Sequence, residues 1–211
     1  MGKSKFNLVA VVVLFLSLIF IFAGISYSIF TYFGEGLTNN VIETGRIIFS
    51  YSDADGGGNG ISIEDAVPIS DEVGKVLSGS GEYFDFTITA STTATDLVYE
   101  IAALKGELST LADKYVKVYL TEIQGTEELG VPLTVVDNVV TTYDELAETT
   151  NSLLDGKTLY YGTVKAGEVA YGKKFRLRMW VTAPNTSNFD YNEINDKMFS
   201  IKVNVASSGT N

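Results

Sequence analysis

A chain with no histidine and no cysteine has few reactions open to it. A Ser-His-Asp triad, a thiol nucleophile, an H-E-x-x-H zinc site and a thiolate metal centre all need residue types that are absent. Carboxylates remain, because 26 of the 211 residues are Asp or Glu. Two carboxyl groups facing one another across a sugar could serve a glycosidase, and Glu127-Glu128 and Asp144-Glu145 are adjacent pairs. Both lie in stretches of generally acidic composition, which reads as solvated surface charge. A degenerate surface hydrolase is the enzymatic alternative this leaves, and the expectation is a protein that is not an enzyme and carries no cofactor.

Two other groups of residues could bind. Asp53, Asp55, Asn59 and Glu64 place oxygen ligands along a Gly-rich stretch and form a candidate calcium site. The spacing departs from an EF-hand loop, which wants ligands at positions 1, 3 and 5, Gly at 6 and Glu at 12. Counting from Asp53 puts Gly57 at position 5, while counting from Asp55 puts Gly57 at 3 and Ala66 at 12. A turn with solvated acids accounts for the same residues, since Gly, Asp and Asn tolerate left-handed backbone angles. The second group is Arg176, Arg178 and Trp180, which alternate with Phe175, Leu177, Met179 and Val181 and so share the second face of one strand. Arg forks onto anions and Trp stacks on sugars, so the stripe could bind an acidic polymer or a glycan. The same residue types also fill interfaces and faces covered by a loop, and this second account is preferred.

What positions these residues begins with residues 6–33, which contain no Asp, Glu, Lys or Arg. As a helix this run would be roughly 42 Å long, more than the roughly 30 Å hydrocarbon core of a bilayer. Lys3 and Lys5 precede it and Glu35 is the first charge after it, which places its N-terminus in the cytoplasm and exports the remainder of the chain. Residues 1–33 read as a signal anchor, with a cleaved signal peptide as the alternative. The run is longer than the 7–15 residues of a signal h-region, and small residues suited to cleavage are poorly placed. Residues 34–44 have spacer composition, leaving 45–211 as one extracellular domain. All 26 acidic residues and 13 of the 15 basic ones come after residue 33, a net charge of −13, so nucleic acid is excluded as a partner. An apolar content of 45% with 12 Tyr and 12 Phe predicts a packed core, stabilised by burial in the absence of disulfides.

Within that domain the chain repeats strand-length alternations. Residues 45–52 (GRIIFSYS) open it, and residues 61–63 come after a Gly-rich turn. Residues 82–90 (EYFDFTITA) place Phe84, Phe86 and Ile88 on one face. In residues 96–104 (DLVYEIAAL), Leu97, Tyr99 and Ile101 alternate with Val98, Glu100 and Ala102; both faces are partly apolar, as expected of a strand covered on two sides. The short link STTAT predicts that these two form a hairpin. Further strands are predicted over 115–123, 159–164, 173–183 and 197–206, with a decorated connection over 124–155 holding a short helix capped by Thr141 or Thr142. Seven or eight such strands predict an all-β, two-sheet antiparallel sandwich, jelly-roll or Ig-like.

Taken together, the export segment, GRIIFSYS, GISIEDAVPISDEVGK, EYFDFTITAS, KYVKVYLTE, FRLRMWV and MFSIKVNV resemble the TasA/camelysin group of exported β-sandwich surface and biofilm-fibre proteins of Gram-positive and related bacteria. The resemblance implies a jelly-roll domain and self-association at the cell surface. A strand near the mature N-terminus would complete the sheet of the next subunit; here that strand is Arg46, Ile47, Ile48, Phe49, Ser50 and Tyr51, joined through backbone hydrogen bonds at an open edge. The metallopeptidase activity described for some camelysin-like proteins has no histidine to support it here. The function expected is a structural subunit of an extracellular fibre or matrix, with a membrane-tethered adhesin or ligand-binding module as the alternative. Retention of residues 6–33 would tether the candidate strand near the bilayer, and cleavage would free it.

Overall fold

The structure is a computed structural model that describes residues 42–44, 47–53, 60–64, 67–93, 95–182 and 191–209. The apolar run 6–33 lies outside them, as do Arg46, Asp55 and Asn59. Among the described residues no helix is long and apolar enough to cross a membrane.

The alternating stretches form strands, and β-branched and aromatic residues at every second position explain why. In chain order these are β1 (Ile42–Thr44), β2 (Ile47–Asp53), β3 (Gly60–Glu64), β4 (Tyr83–Ser91), β5 (Leu97–Lys105), β6 (Val116–Gln124), β7 (Glu127–Gly130), β8 (Val135–Val136), β9 (Val139–Val140), β10 (Lys157–Val164), β11 (Tyr171–Val181) and β12 (Met198–Gly209). β1 falls inside the stretch 34–44 expected to be spacer and pairs antiparallel with β2, Ile42 opposite Phe49 and Thr44 opposite Ile47. The expected short helix is one 3₁₀ turn, Tyr143–Glu145, whose Glu145 carboxylate accepts the Thr142 N–H at 2.7 Å. Between β8 and β9, Asp137 and Asn138 both take positive φ, 51° and 68°, the backbone of a type I′ hairpin turn.

Pairing gives a six-stranded sheet, β1-β2-β4-β11-β6-β7, and a four-stranded sheet, β10-β5-β12-β3, with β8-β9 apart from both. All pairings are antiparallel, so the two-sheet antiparallel arrangement is as expected. The β4–β5 hairpin is not: β4 lies in one sheet and β5 in the other. Alternation specifies which face a strand buries and leaves its neighbour open. The chain crosses the sandwich between β4 and β5, and Thr92 and Asp96 fasten this link to the loop joining β10 to β11. The Thr92 N–H donates to the Glu168 carbonyl at 2.8 Å, and Asp96 accepts from Lys165 Nζ at 2.8 Å and the Ala166 N–H at 2.9 Å. Indeed every connection between the long strands, from β2 through β6 and on from β10 to β12, passes from one sheet to the other.

The core is the space between the sheets. Phe86, Ile88, Phe175 and Leu177 of the larger sheet, and Leu97, Ile101, Leu159 and Phe199 of the smaller, are fully buried. The Phe175 ring lies 5.4 Å from both Phe86 and Tyr160, centroid to centroid. A polar contact crosses this layer, Tyr99 Oη to Tyr171 Oη at 2.7 Å; burial pushes both phenols above their ordinary pKa.

Candidate functional site

The Arg/Trp stripe of β11 was the strongest binding candidate in the sequence, and its surroundings commit it to the fold. Arg178 is 3% and Trp180 2% exposed, because residues 67–82 lie across the outer face of the six-stranded sheet. That strap is fixed at one end by the Ile69 N–H donating to the Val181 carbonyl at 3.0 Å. Arg178 Nε donates to the Leu77 carbonyl at 2.7 Å near the other end. In between, the helical turn Asp71–Gly74 sets Gly74 directly on the indole of Trp180, where a Cβ would come within 2.2 Å of the ring. Trp180 Nε1 has no hydrogen-bond partner among the described residues.

The charges beneath and beside the strap satisfy one another. Arg176 clamps Asp85 through Nε at 2.6 Å and Nη2 at 2.9 Å, reaches Glu128 Oε1 through Nη1 at 3.0 Å, and stacks 4.0 Å from the Tyr83 ring centroid. Lys174 adds a second cation to Asp85 at 2.8 Å. Arg178 grips the other side of Glu128, its Nη2 at 3.1 Å from Oε1 and its Nη1 on Oε2. Burial alone would raise the Asp85 pKa, but the Arg176 and Lys174 bonds outweigh it and hold the carboxyl below its usual range. Arg178 does the same for Glu128. The ladder Asp85–Arg176–Glu128–Arg178 ties β4, β11 and β7 together and leaves no bidentate fork open to an anion.

The other sequence candidates are dispersed. Ile47, Ile48, Phe49, Ser50 and Tyr51 lie in β2, which pairs with β4 from Ile48 opposite Ser91 to Asp53 opposite Phe86. The strand expected to reach a neighbouring subunit therefore occupies a place in its own sheet. Of the calcium candidates, Asp53 ends β2 and Glu64 is the exposed last residue of β3. No group of metal-ligating side chains gathers among the described residues. Glu127 is exposed on β7, and Asp144 and Glu145 sit on the 3₁₀ turn with Glu145 spent on its cap.

A feature the sequence did not flag lies on the outer face of the four-stranded sheet. Glu100 of β5 is 3% exposed, yet no cation pairs with it among the described residues. Its Oε1 accepts from Thr158 Oγ1 at 2.6 Å and the Thr150 N–H at 3.2 Å. Its Oε2 accepts from the Asn151 N–H at 3.0 Å and Thr150 Oγ1 at 3.2 Å. Burial raises the pKa of such a group, but these four donors prevail and keep Glu100 ionised below its ordinary value. Leu154 packing on Ala102 and Ala206 seats the same loop on the sheet. Beside it opens a recess of about 310 Å³ lined by Val98, Glu100, Thr150, Asn151, Ser152 and Tyr161. Tyr161 is 42% exposed, with its hydroxyl 3.1 Å from Thr150 Oγ1. The sequence predicts cover on both faces of this strand, and the structure agrees for Glu100 and Ala102; which loop supplies the cover, and the donors it brings to Glu100, emerge only from the structure.

Neither a family model nor a curated protein matches the sequence. Among solved structures, it is similar to TmCBM61 in complex with β-1,4-galactotriose at 9% identity and TM-score 0.21, over 77% of this chain and 88% of that one. It is similar to the collagen-binding subdomain ACE19 of the Enterococcus faecalis surface protein ACE at 8% identity and TM-score 0.19, over 72% and 97%. A β-glucosidase from Kluyveromyces marxianus aligns at 11% identity and TM-score 0.24, over 83% of this chain and 20% of the enzyme, so the chain spans about a fifth of that protein's length. At these identities and scores the likenesses bear on no functional assignment.

Proposed function

We propose that the chain is an exported, non-enzymatic cell-surface protein of TasA/camelysin type, a jelly-roll subunit that assembles with copies of itself by exchanging its N-terminal strand. The observation that carries this is the position of β2. It is joined to the body of its sheet through six residue pairs with β4 and is flanked on the other side by a three-residue strand alone. The sequence after it, residues 54–59, includes Gly56, Gly57 and Gly58, residues that impose the least steric restriction on a chain leaving one partner for another. The edge of β4 between Phe86 and Ser91 is then the acceptor, filled by the chain's own β2 in the isolated subunit and by a neighbour's in the assembly, as in domain swapping. The N-terminal apolar segment holds the subunit at the membrane until it is removed.

The absence of cysteine makes the test direct. Ser50 and Thr89 stand opposite one another in the β2–β4 register, within the separation a disulfide spans across an antiparallel pair. A Ser50→Cys chain and a Thr89→Cys chain, each spanning residues 34–211, are assembled as a mixture and oxidised. Strand exchange yields a disulfide joining one of each chain. A mixture that forms filaments without that cross-link, or filaments that survive deletion of residues 46–51, overturns the reading.

A further inference from the structure

We propose that the recess beside Glu100 is a binding site for the face of a neutral sugar ring, with Tyr161 as its stacking platform. The proposal stands apart from strand exchange, since it uses the outer face of the other sheet. Three observations carry it.

First, the recess is built. A buried carboxylate without a countercharge is costly to keep, and the four donors around Glu100 are satisfied by fixing the loop at Thr150 and Asn151. Asn151 Oδ1 in turn accepts the Leu153 N–H at 3.0 Å, which orients the side-chain amide so that its NH₂ is the group left to present. Because all the lone pairs of Glu100 are taken, the carboxylate holds the site in shape and performs no acid–base chemistry. Second, the lining matches the ligand class. An exposed aromatic ring beside small polar donors, Asn151 Nδ2 and the Ser152 hydroxyl, offers a flat apolar surface for the C–H face of a pyranose and hydrogen bonds for its rim. The volume of about 310 Å³ lies at the small end of ligand sites, which run from about 300 to 1,000 Å³. Third, electrostatics selects for neutrality. A domain bearing −13 after residue 33, with an ionised carboxylate in the wall of the recess, repels uronic acids, phosphates and sulfated sugars.

The test uses the full-length chain in mild detergent on an array of immobilised neutral and acidic oligosaccharides, with calorimetry on the neutral sugar that gives the strongest signal. Tyr161→Ala should weaken that sugar roughly tenfold or more, the loss expected for an aromatic stacking surface, while Tyr161→Phe keeps the ring and stays within about threefold. Ser152→Ala, which removes an exposed hydroxyl of the lining, should weaken binding with the melting temperature unchanged, which separates lost contacts from lost folding. Val169→Ala, an exposed residue outside the recess, is the control and should leave affinity alone. No Tyr161-dependent binding anywhere on the array, or a preference for acidic sugars, overturns the proposal.

Discussion

Gly74→Ala should destabilise the protein, although the substitution would ordinarily help. Gly is worse than Ala in a helical turn by about 1 kcal/mol, so propensity alone predicts a more stable variant. The added Cβ, however, would sit 2.2 Å from Trp180 Cδ2, 2.3 Å from Cε2 and 2.7 Å from Cε3. Carbon atoms in contact stand about 3.5 Å or more apart, so the helical turn and the indole must separate by more than an ångström. Trp180 is held by its strand β11 and contacts the Tyr119 ring edge-on, 6.3 Å between centroids, so the short strap is the part that lifts. Overpacking of this kind costs about 1–3 kcal/mol; less the roughly 1 kcal/mol that propensity returns, and at about 2–4 °C per kcal/mol for a domain of this size, the melting temperature should fall by up to roughly 8 °C. The assay is unusually specific, because Trp180 is the sole tryptophan. Its emission should shift to the red as the strap rises and water reaches the ring. Gly172→Ala, in β11, where a Cβ meets nothing within 4 Å, adds the same methyl without a clash; it should leave the emission unchanged and the melting temperature level or slightly higher, as Ala replaces Gly in a strand. A Gly74→Ala protein that melts higher with an unshifted emission maximum would refute both this packing and the strap as the cover of the Arg/Trp stripe.

Removing Arg178 tests the ladder. Arg178→Met keeps the aliphatic stem but strips Glu128 of one cation and the Leu77 carbonyl of its donor, and urea denaturation should show a loss of about 2–4 kcal/mol. Arg178→Lys should recover little, since one ammonium cannot fork onto Glu128 while bonding Leu77; variants within about 0.5 kcal/mol of the parent would sink the claim. Acid should weaken the fold in a defined window. The Glu100 carboxyl is held below its ordinary value, whereas in the unfolded chain it titrates near about 4.3. Its contribution is therefore complete above about pH 5 and lost as pH falls through the lower, folded value. Melting temperature should be level from about pH 5 to 7 and drop below about pH 4.5. Glu100→Gln should lower the neutral plateau by the equivalent of about 1–3 kcal/mol and flatten the acid limb; an acid limb of unchanged slope in that variant would show that Glu100 is not the group being titrated.

The elements were legible where a short-range rule governs them. Phe84, Phe86 and Ile88, or Phe175, Leu177, Met179 and Val181, announce both a strand and its buried face, because side chains alternate with a period of two. Partnership was not legible. STTAT would serve a hairpin as readily as a crossing between sheets, and what decides is the attachment of Thr92 and Asp96 to a loop about seventy residues further along. The fate of the Arg/Trp stripe depended likewise on a strap about a hundred residues earlier in sequence than its Arg178 anchor. Cover on both faces of β5 was legible from its apolar residues, but the role of Glu100 was not, since the loop that supplies the cover and the donors carries no pattern of its own.

The way the chain passes between sheets has a consequence for how it can be made. β11 lies between β4 and β6, and β12 lies between β5 and β3. The last two long strands are thus the central members of the two sheets. Until residues 171–209 arrive, the larger sheet exists as two separate fragments and the smaller one lacks the strand that joins β3 to it. High contact order of this kind makes folding slow and late. A polypeptide whose central strands come last cannot close its sheets early, and it completes both of them together once those strands arrive. The corresponding weakness is that any truncation ahead of β11 leaves several unpaired edges at once, the form in which β-rich chains aggregate.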